Sequence, residues 1–134
     1  MHPEHERLLS QIRVAAGPRQ GPDGAMQNDS YGGSGRPYYL LGVPERRRMA
    51  RDWVRAHPDP ADVLAVAESL MVEGVSHEEK SLGAILLGYA PAARRAVATA
   101  RVEAWLGSLN GWAEVDSLCA NQFKAEDMAA DWPA

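Results

Sequence analysis

The chain has 134 residues, of which 46% are hydrophobic and 24% charged, an ordinary globular composition that excludes wholesale disorder and suits a single domain. No apolar run approaches the roughly 20 residues needed to cross a bilayer. The polar start MHPEHERLL is no signal peptide, and the lone Cys119 cannot close an intrachain disulfide, so a cytoplasmic chain is expected. The net charge of −4 hides an asymmetry: residues 36–55 carry six Arg against Glu45 and Asp52, while residues 56–134 carry five bases against twelve acids.

From Pro3 to Ala16, Leu8, Leu9, Ile12, Ala15 and Ala16 follow helical spacing behind Glu4 and Glu6, and Gly17 ends the helix. Residues 17–37 hold six Gly and three Pro, too little apolar surface to offset chain entropy, and read as a mobile loop. The run from Tyr38 to Val43 suits a short strand or a loop packed on the first helix. Pro44 opens a helix running to about Ala56, with Met49, Ala50, Trp53 and Val54 inward and Arg46, Arg47, Arg48, Arg51 and Arg55 outside or flanking.

Asp59 caps a third helix that starts at Pro60, buries Val63, Leu64, Ala67, Leu70 and Met71, and stops at Gly74. Ser76 and Glu79 form a capping box for a fourth, with a stripe of Leu82, Ile85, Leu86 and Tyr89 that Pro91 breaks. A fifth helix carries Val97, Val102, Trp105, Leu106 and Leu109. A sixth begins at Asn110 and runs through Trp112, Val115, Asp116, Cys119 and Phe123. No segment alternates with period two, so the class is all-α. Helices of this length, paired every 30–45 residues, fit a HEAT-like α-solenoid or a plain bundle about equally.

Two constellations could carry chemistry. The arginine-rich second helix could neutralise phosphates, and it could equally be a solvated face. Trp112 and Asp116 stand four residues apart, on one helix face. An indole and a carboxylate so placed suit a reaction that develops positive charge, such as glycosidic cleavage through an oxocarbenium-like state. The ordinary reading is a core Trp112 and an Asp116 that is half exposed or paired with a neighbouring Arg. Cys119 reads as a small core residue. His2, His5, His57 and His77 lack the spacing and Cys partners of a zinc site, and a ligand role for His77 has no partner in reach.

Three stretches in order, YYLLGVPERRRMARDW at 38–53, HEEKSLGAILLGYA at 77–90 and NGWAEVDSLCANQF at 110–123, resemble the DNA alkylation repair family of HEAT-like bacterial glycosylases. The resemblance implies stacked antiparallel helix pairs whose concave, basic face holds double-stranded DNA containing alkylated purines. It implies excision of N3- and N7-alkylated purines with no metal or cofactor and no membrane partner, the lesion staying stacked rather than flipped out. Asp116 and Trp112 would be the catalytic pair: Asp116 stabilising charge on the deoxyribose and positioning water, Trp112 packing against the sugar. On the arginine-rich second helix, Arg46, Arg47 and Arg48 are expected to include at least one phosphate-facing, DNA-binding residue, with Trp53 buried.

The family's later Arg- and Trp-bearing helices have no counterpart in this sequence. The expectation is therefore one HEAT-like domain over residues 1–134, incomplete at its C-terminus, with the sixth helix near Val115, Leu118 and Phe123 showing apolar exposure or being covered by another chain. The absence of heptads argues against a coiled-coil dimer, and a monomer is expected. A noncatalytic HEAT-like DNA-binding module and a helical interaction scaffold using the acidic 56–134 region are the alternatives.

Overall fold

A buried residue every three or four positions (His5, Leu8, Ile12, Ala16) makes α1 (Pro3–Ala16) the first helix. The computed structural model of the chain describes residues 1–16, 27–28, 37–39 and 41–127, the side chains of 27, 28, 37, 38 and 112 excepted. Most of the Gly/Pro-rich stretch expected as a loop therefore lies outside the described residues. Within it, β1 (Gln27–Asn28) pairs antiparallel with β2 (Pro37–Tyr38). Two residues on each side do not make a sheet, and the class is all-α.

Among the described residues there follow α2 (Val43–Ala56), α3 (Pro60–Glu73), α4 (His77–Gly88), α5 (Pro91–Arg95), α6 (Thr99–Leu106) and α7 (Gly111–Gln122). Their starts are chemically marked. Proline occupies the first turn of α2, α3 and α5, and the Asp59 side chain accepts the Ala61 N–H at 3.0 Å. The Ser76–Glu79 capping box forms as expected. The fifth helix read as continuous is two pieces. Ala96 and Val97 close α5 with N–H bonds to Ala93 and Arg94, and Ala98 turns extended before α6.

α4 is the hub, packing on α3, α7 and α2, while α3 also meets α1, α5 and α6. It was expected to carry one apolar stripe, yet every residue from Glu78 to Leu87 is buried. Tyr89, expected in that stripe, ends the helix 39% exposed. Gly83 explains the close approach to α3: a Cβ there would stand 2.7 Å from the Ala67 carbonyl and 2.9 Å from Met71. Gly88 likewise lets α4 meet Asn121 of α7.

These pairings also give direction. Gly83 meets Ala67 while Lys80 bonds the Met71 carbonyl, so α3 and α4 run antiparallel. His77 meets Glu114 and Gly88 meets Asn121, so α4 and α7 run parallel.

Tryptophans tie the elements. The Trp53 indole, buried as expected, donates to Glu4 at 3.3 Å and joins α2 to α1. The fully buried Trp105 donates to Glu68 at 3.2 Å and joins α6 to α3, with Arg101 over its ring and bonded to the same carboxylate.

Candidate functional site

α7 begins where Gly111 takes a positive φ of 73°, a conformation that suits glycine and turns the chain out of α6. Glu114, Leu118 and Gln122, four residues apart, are its buried face. Glu114 accepts the Asn110 N–H at 2.9 Å and pairs with His77 at 3.4 Å, clamping the start of α7 to the start of α4. His77 thus packs against a carboxylate 37 positions away in sequence. At the other end Gln122 donates to the Arg94 carbonyl at 2.7 Å.

This inward face turns Asp116 to the opposite side of the helix, where it is exposed. The three arginines of α5 and α6 that could have neutralised it are committed elsewhere. Arg94 pairs with Glu126 and Asp127, Arg95 with Asp127, and Arg101 with Glu68. Among the described residues Asp116 has no ion pair or hydrogen-bond partner. Of its neighbours on that face, Ala120 and Phe123 are exposed and Cys119 is half-buried. Of the apolar exposure expected on this helix, Phe123 is 47% exposed, while Leu118 is fully buried and Val115 half-buried. The Trp112 side chain lies outside the described residues.

The competing carboxylates behave as structural groups. The Arg101 hydrogen bond holds Glu68 below the usual carboxylate range against the contrary effect of burial, helped by Trp105. The Arg94 hydrogen bond does the same for Asp127, with Arg95 assisting.

The arginines of α2 divide. Arg46, expected among the DNA contacts, is 7% exposed and donates to the Ser81 hydroxyl of α4, and its Nε has no partner among the described residues. Burial lowers its pKa and the nearby Glu78 carboxylate opposes that shift. It follows Pro44 by two residues on the side that carries Ala50 and Trp53, so helical phase turns it inward. Arg47 and Arg48 are exposed as expected, as are Arg51 and Arg55.

Sequence reasoning missed a buried polar chain. His5, fully buried, contacts Ser69 at 2.8 Å through Nδ1 and Glu79 at 2.6 Å through Nε2, and Ser69 donates to Glu73 at 2.9 Å. It resembles a nucleophile relay, but Ser69 sits mid-helix, where neighbouring N–H groups are spent on the helical ladder and none is free to hold an oxyanion. Its role is to bolt α1 to α3 and α4. The only available signal was His5 itself, at an inward phase of α1. Clefts of about 420 and 260 Å³ between α1 and α2, and of about 300 Å³ beside α3, lie on other elements than α7. No group of three His, Cys, Asp or Glu among the described residues could hold a metal ion, and no described helix is long and apolar enough to cross a membrane.

The molecule is thus an all-helical protein in which one helix displays an unpaired carboxylate and another a row of exposed arginines. The sequence profile of the DNA alkylation repair enzyme family matches residues 18–129, and the chain belongs to that family. Membership makes DNA alkylation repair its role and DNA its partner. The matched span takes in α2 through α7 and leaves α1 outside. Comparisons with curated proteins and with solved structures found no match.

Proposed function

We propose that the protein is a DNA glycosylase that hydrolyses the N-glycosidic bond of N3- and N7-alkylated purines in duplex DNA. The observation that carries this reading is Asp116: exposed on α7 one turn after Trp112 and without a cation among the described residues, whereas Glu114, two positions before it, is buried and paired with His77. A carboxylate kept free on a surface that meets a polyanion costs binding energy, so a chemical role is the better account of it.

Alkylation at N3 or N7 makes the purine cationic, and the C1′–N bond can break with its electron pair going to the base. No general acid is needed. The developing positive charge at the sugar is met by the Asp116 carboxylate, and Trp112, one turn before it, packs against the sugar. Water then adds to C1′, releases a proton and leaves an abasic site. Because the sugar is reached from outside, the lesion stays stacked and no deep pocket is needed on α7.

Arg47 and Arg48 are the outward members of the proposed DNA-contact set; Arg46 is a strut. The helix pairs α1/α2, α3/α4 and α6/α7 are read as HEAT-like repeats, a reading supported by the α1–α3–α6 and α2–α4–α7 contact rows. The protein is expected to act as a monomer in the cytoplasm, with no cofactor.

The test is Asp116→Asn, which removes the charge with little change in volume. Release of 7-methylguanine or 3-methyladenine from alkylated duplex should fall by about two to three orders of magnitude, since a charge pair near 4 Å in a partly desolvated site is worth several kcal/mol and each 1.4 kcal/mol is about tenfold. DNA affinity and melting temperature should hold. Release at the wild-type rate would make the noncatalytic DNA-binding module the better reading.

A further inference from the structure

Polar bonds hold α7 at both of its ends. Near the start, Glu114 uses one carboxylate oxygen to accept the Asn110 N–H at 2.9 Å and turns the other to His77 of α4 at 3.4 Å. The buried Lys80 ammonium, also in the first turn of α4, donates to the Ser108 carbonyl at 3.0 Å. That turn therefore grips the chain on both sides of Gly111. Near the end of α7, the buried Gln122 amide donates to the Arg94 carbonyl at 2.7 Å. Leu118, fully buried, lies between the two ties.

The angles make this arrangement a latch. At 100° per residue, Glu114 and Gln122 stand about 80° apart around the helix with Leu118 midway, and Asp116 lies about 120–160° from all three. An apolar contact such as that of Leu118 is non-directional, so a helix resting on it alone can roll about its own axis. Hydrogen bonds on either side of that contact are directional and stop the roll. The movement they prevent is large on the scale of chemistry. A carboxylate about 5–6 Å from the helix axis shifts by about 2 Å in a roll of about 20°. A misplacement of about 1 Å can cost about a hundredfold in rate.

Stability is a poor account of Gln122. Its Oε1 is buried without a partner among the described residues, and the Arg94 carbonyl that it bonds also accepts the Val97 N–H at 3.3 Å. A leucine would fill the same place without desolvating an unpaired oxygen.

We infer that Glu114 and Gln122 are positioning residues that fix the rotation of α7 and so hold the Asp116 carboxylate at one place on the surface. The inference rests on the glycosylase reading for what Asp116 does, while the latch itself does not need the reaction. Both residues face the core and touch no substrate, so their loss falls on the chemical step and not on duplex binding.

The test is Gln122→Leu in the whole chain. Its melting temperature should equal or exceed that of wild type, and affinity for alkylated duplex should stay within about twofold. Single-turnover release of 7-methylguanine should nevertheless slow by about 10- to 30-fold, a stabler protein with slower chemistry. In an Asp116→Asn background the same change should cost nothing further, because the latch acts through that carboxylate. Cys119, the one thiol of the chain, is half-buried on α7 about 60° from Asp116, so its alkylation by iodoacetamide reports rolling of this helix without any need for activity. It should quicken several-fold in Gln122→Leu. Release at the wild-type rate, an unchanged alkylation rate, or an equal further loss beside Asp116→Asn each overturns the positioning role. A wild-type chain that releases no base, with alkylation still faster in Gln122→Leu, sinks the glycosylase reading and leaves the latch standing.

Discussion

Glu114 and Asp116 are two residues apart and chemically near-identical, yet one is buried and doubly engaged while the other is exposed and unpaired. Two residues advance a helix by about 200°, so the partner that claims Glu114, His77 on α4, is what frees Asp116 to face outward. Arg46 and Arg47 make the same contrast on α2. We expect Arg46→Glu to destabilise the protein by several kcal/mol, because it places a second carboxylate beside Glu78 in the interior. Arg47→Glu should stay within about 0.5 kcal/mol of wild type in chemical denaturation while weakening duplex binding. If both variants melt alike, the inward placement of Arg46 is wrong.

The helices themselves are punctuated by local chemistry. Pro60 behind Asp59, and Ser76 three residues before Glu79, specify starts that need no tertiary information. Ser76→Ala should cost about 1 kcal/mol or somewhat more, since its hydroxyl both caps the Glu79 N–H and donates to the Glu79 carboxylate. Gly83 tests packing against propensity. Alanine in place of glycine favours an isolated helix by about 1 kcal/mol. Here its methyl would press on the Ala67 carbonyl, a backbone atom that cannot give way cheaply, and overpacking of that kind costs about 1–3 kcal/mol. Gly83→Ala should therefore lower the melting temperature; a rise would mean that α3 and α4 sit farther apart. The division of the expected fifth helix into α5 and α6 had no such local mark. Val97, Val102 and Trp105 have spacing compatible with one helix, and beside the break Arg94 bonds the Leu87 and Gly88 carbonyls and pairs with Glu126 and Asp127.

Across the molecule, ionic ties join segments distant in sequence, and these set its response to acid. Burial alone would push Glu79 up, but the bonds from His5, Ser76 and Val75 outweigh it and hold the carboxyl below its usual value. Glu68 and Asp127 are depressed by their arginines. A depressed carboxyl contributes stability that is fully present above its unfolded pKa, near 4.3 for glutamate, and is lost as pH falls through the lower folded value. Melting temperature should therefore be steady near neutrality and fall below about pH 4. Glu79→Gln should be less stable at pH 7 and show a shallower fall in acid. An identical acid profile would remove Glu79 from the cause.

What the sequence by itself determined is what depends on neighbours within one or two turns: the all-helical class, most helix starts, the buried Trp53, and the placing of Trp112 and Asp116 one turn apart. Periodicity and capping are local, so they survive without knowledge of the fold. Only the tertiary structure decided which polar groups turn inward. His5, Arg46, Glu79, Lys80 and Glu114 are all residues that composition assigns to the surface, and each is buried because a partner from another helix, Ser69, Ser81, His5, the Met71 and Ser108 carbonyls or His77, satisfies it there. Desolvating a charge is unfavourable until that partner arrives, and the partner's position is fixed only once the helices have packed.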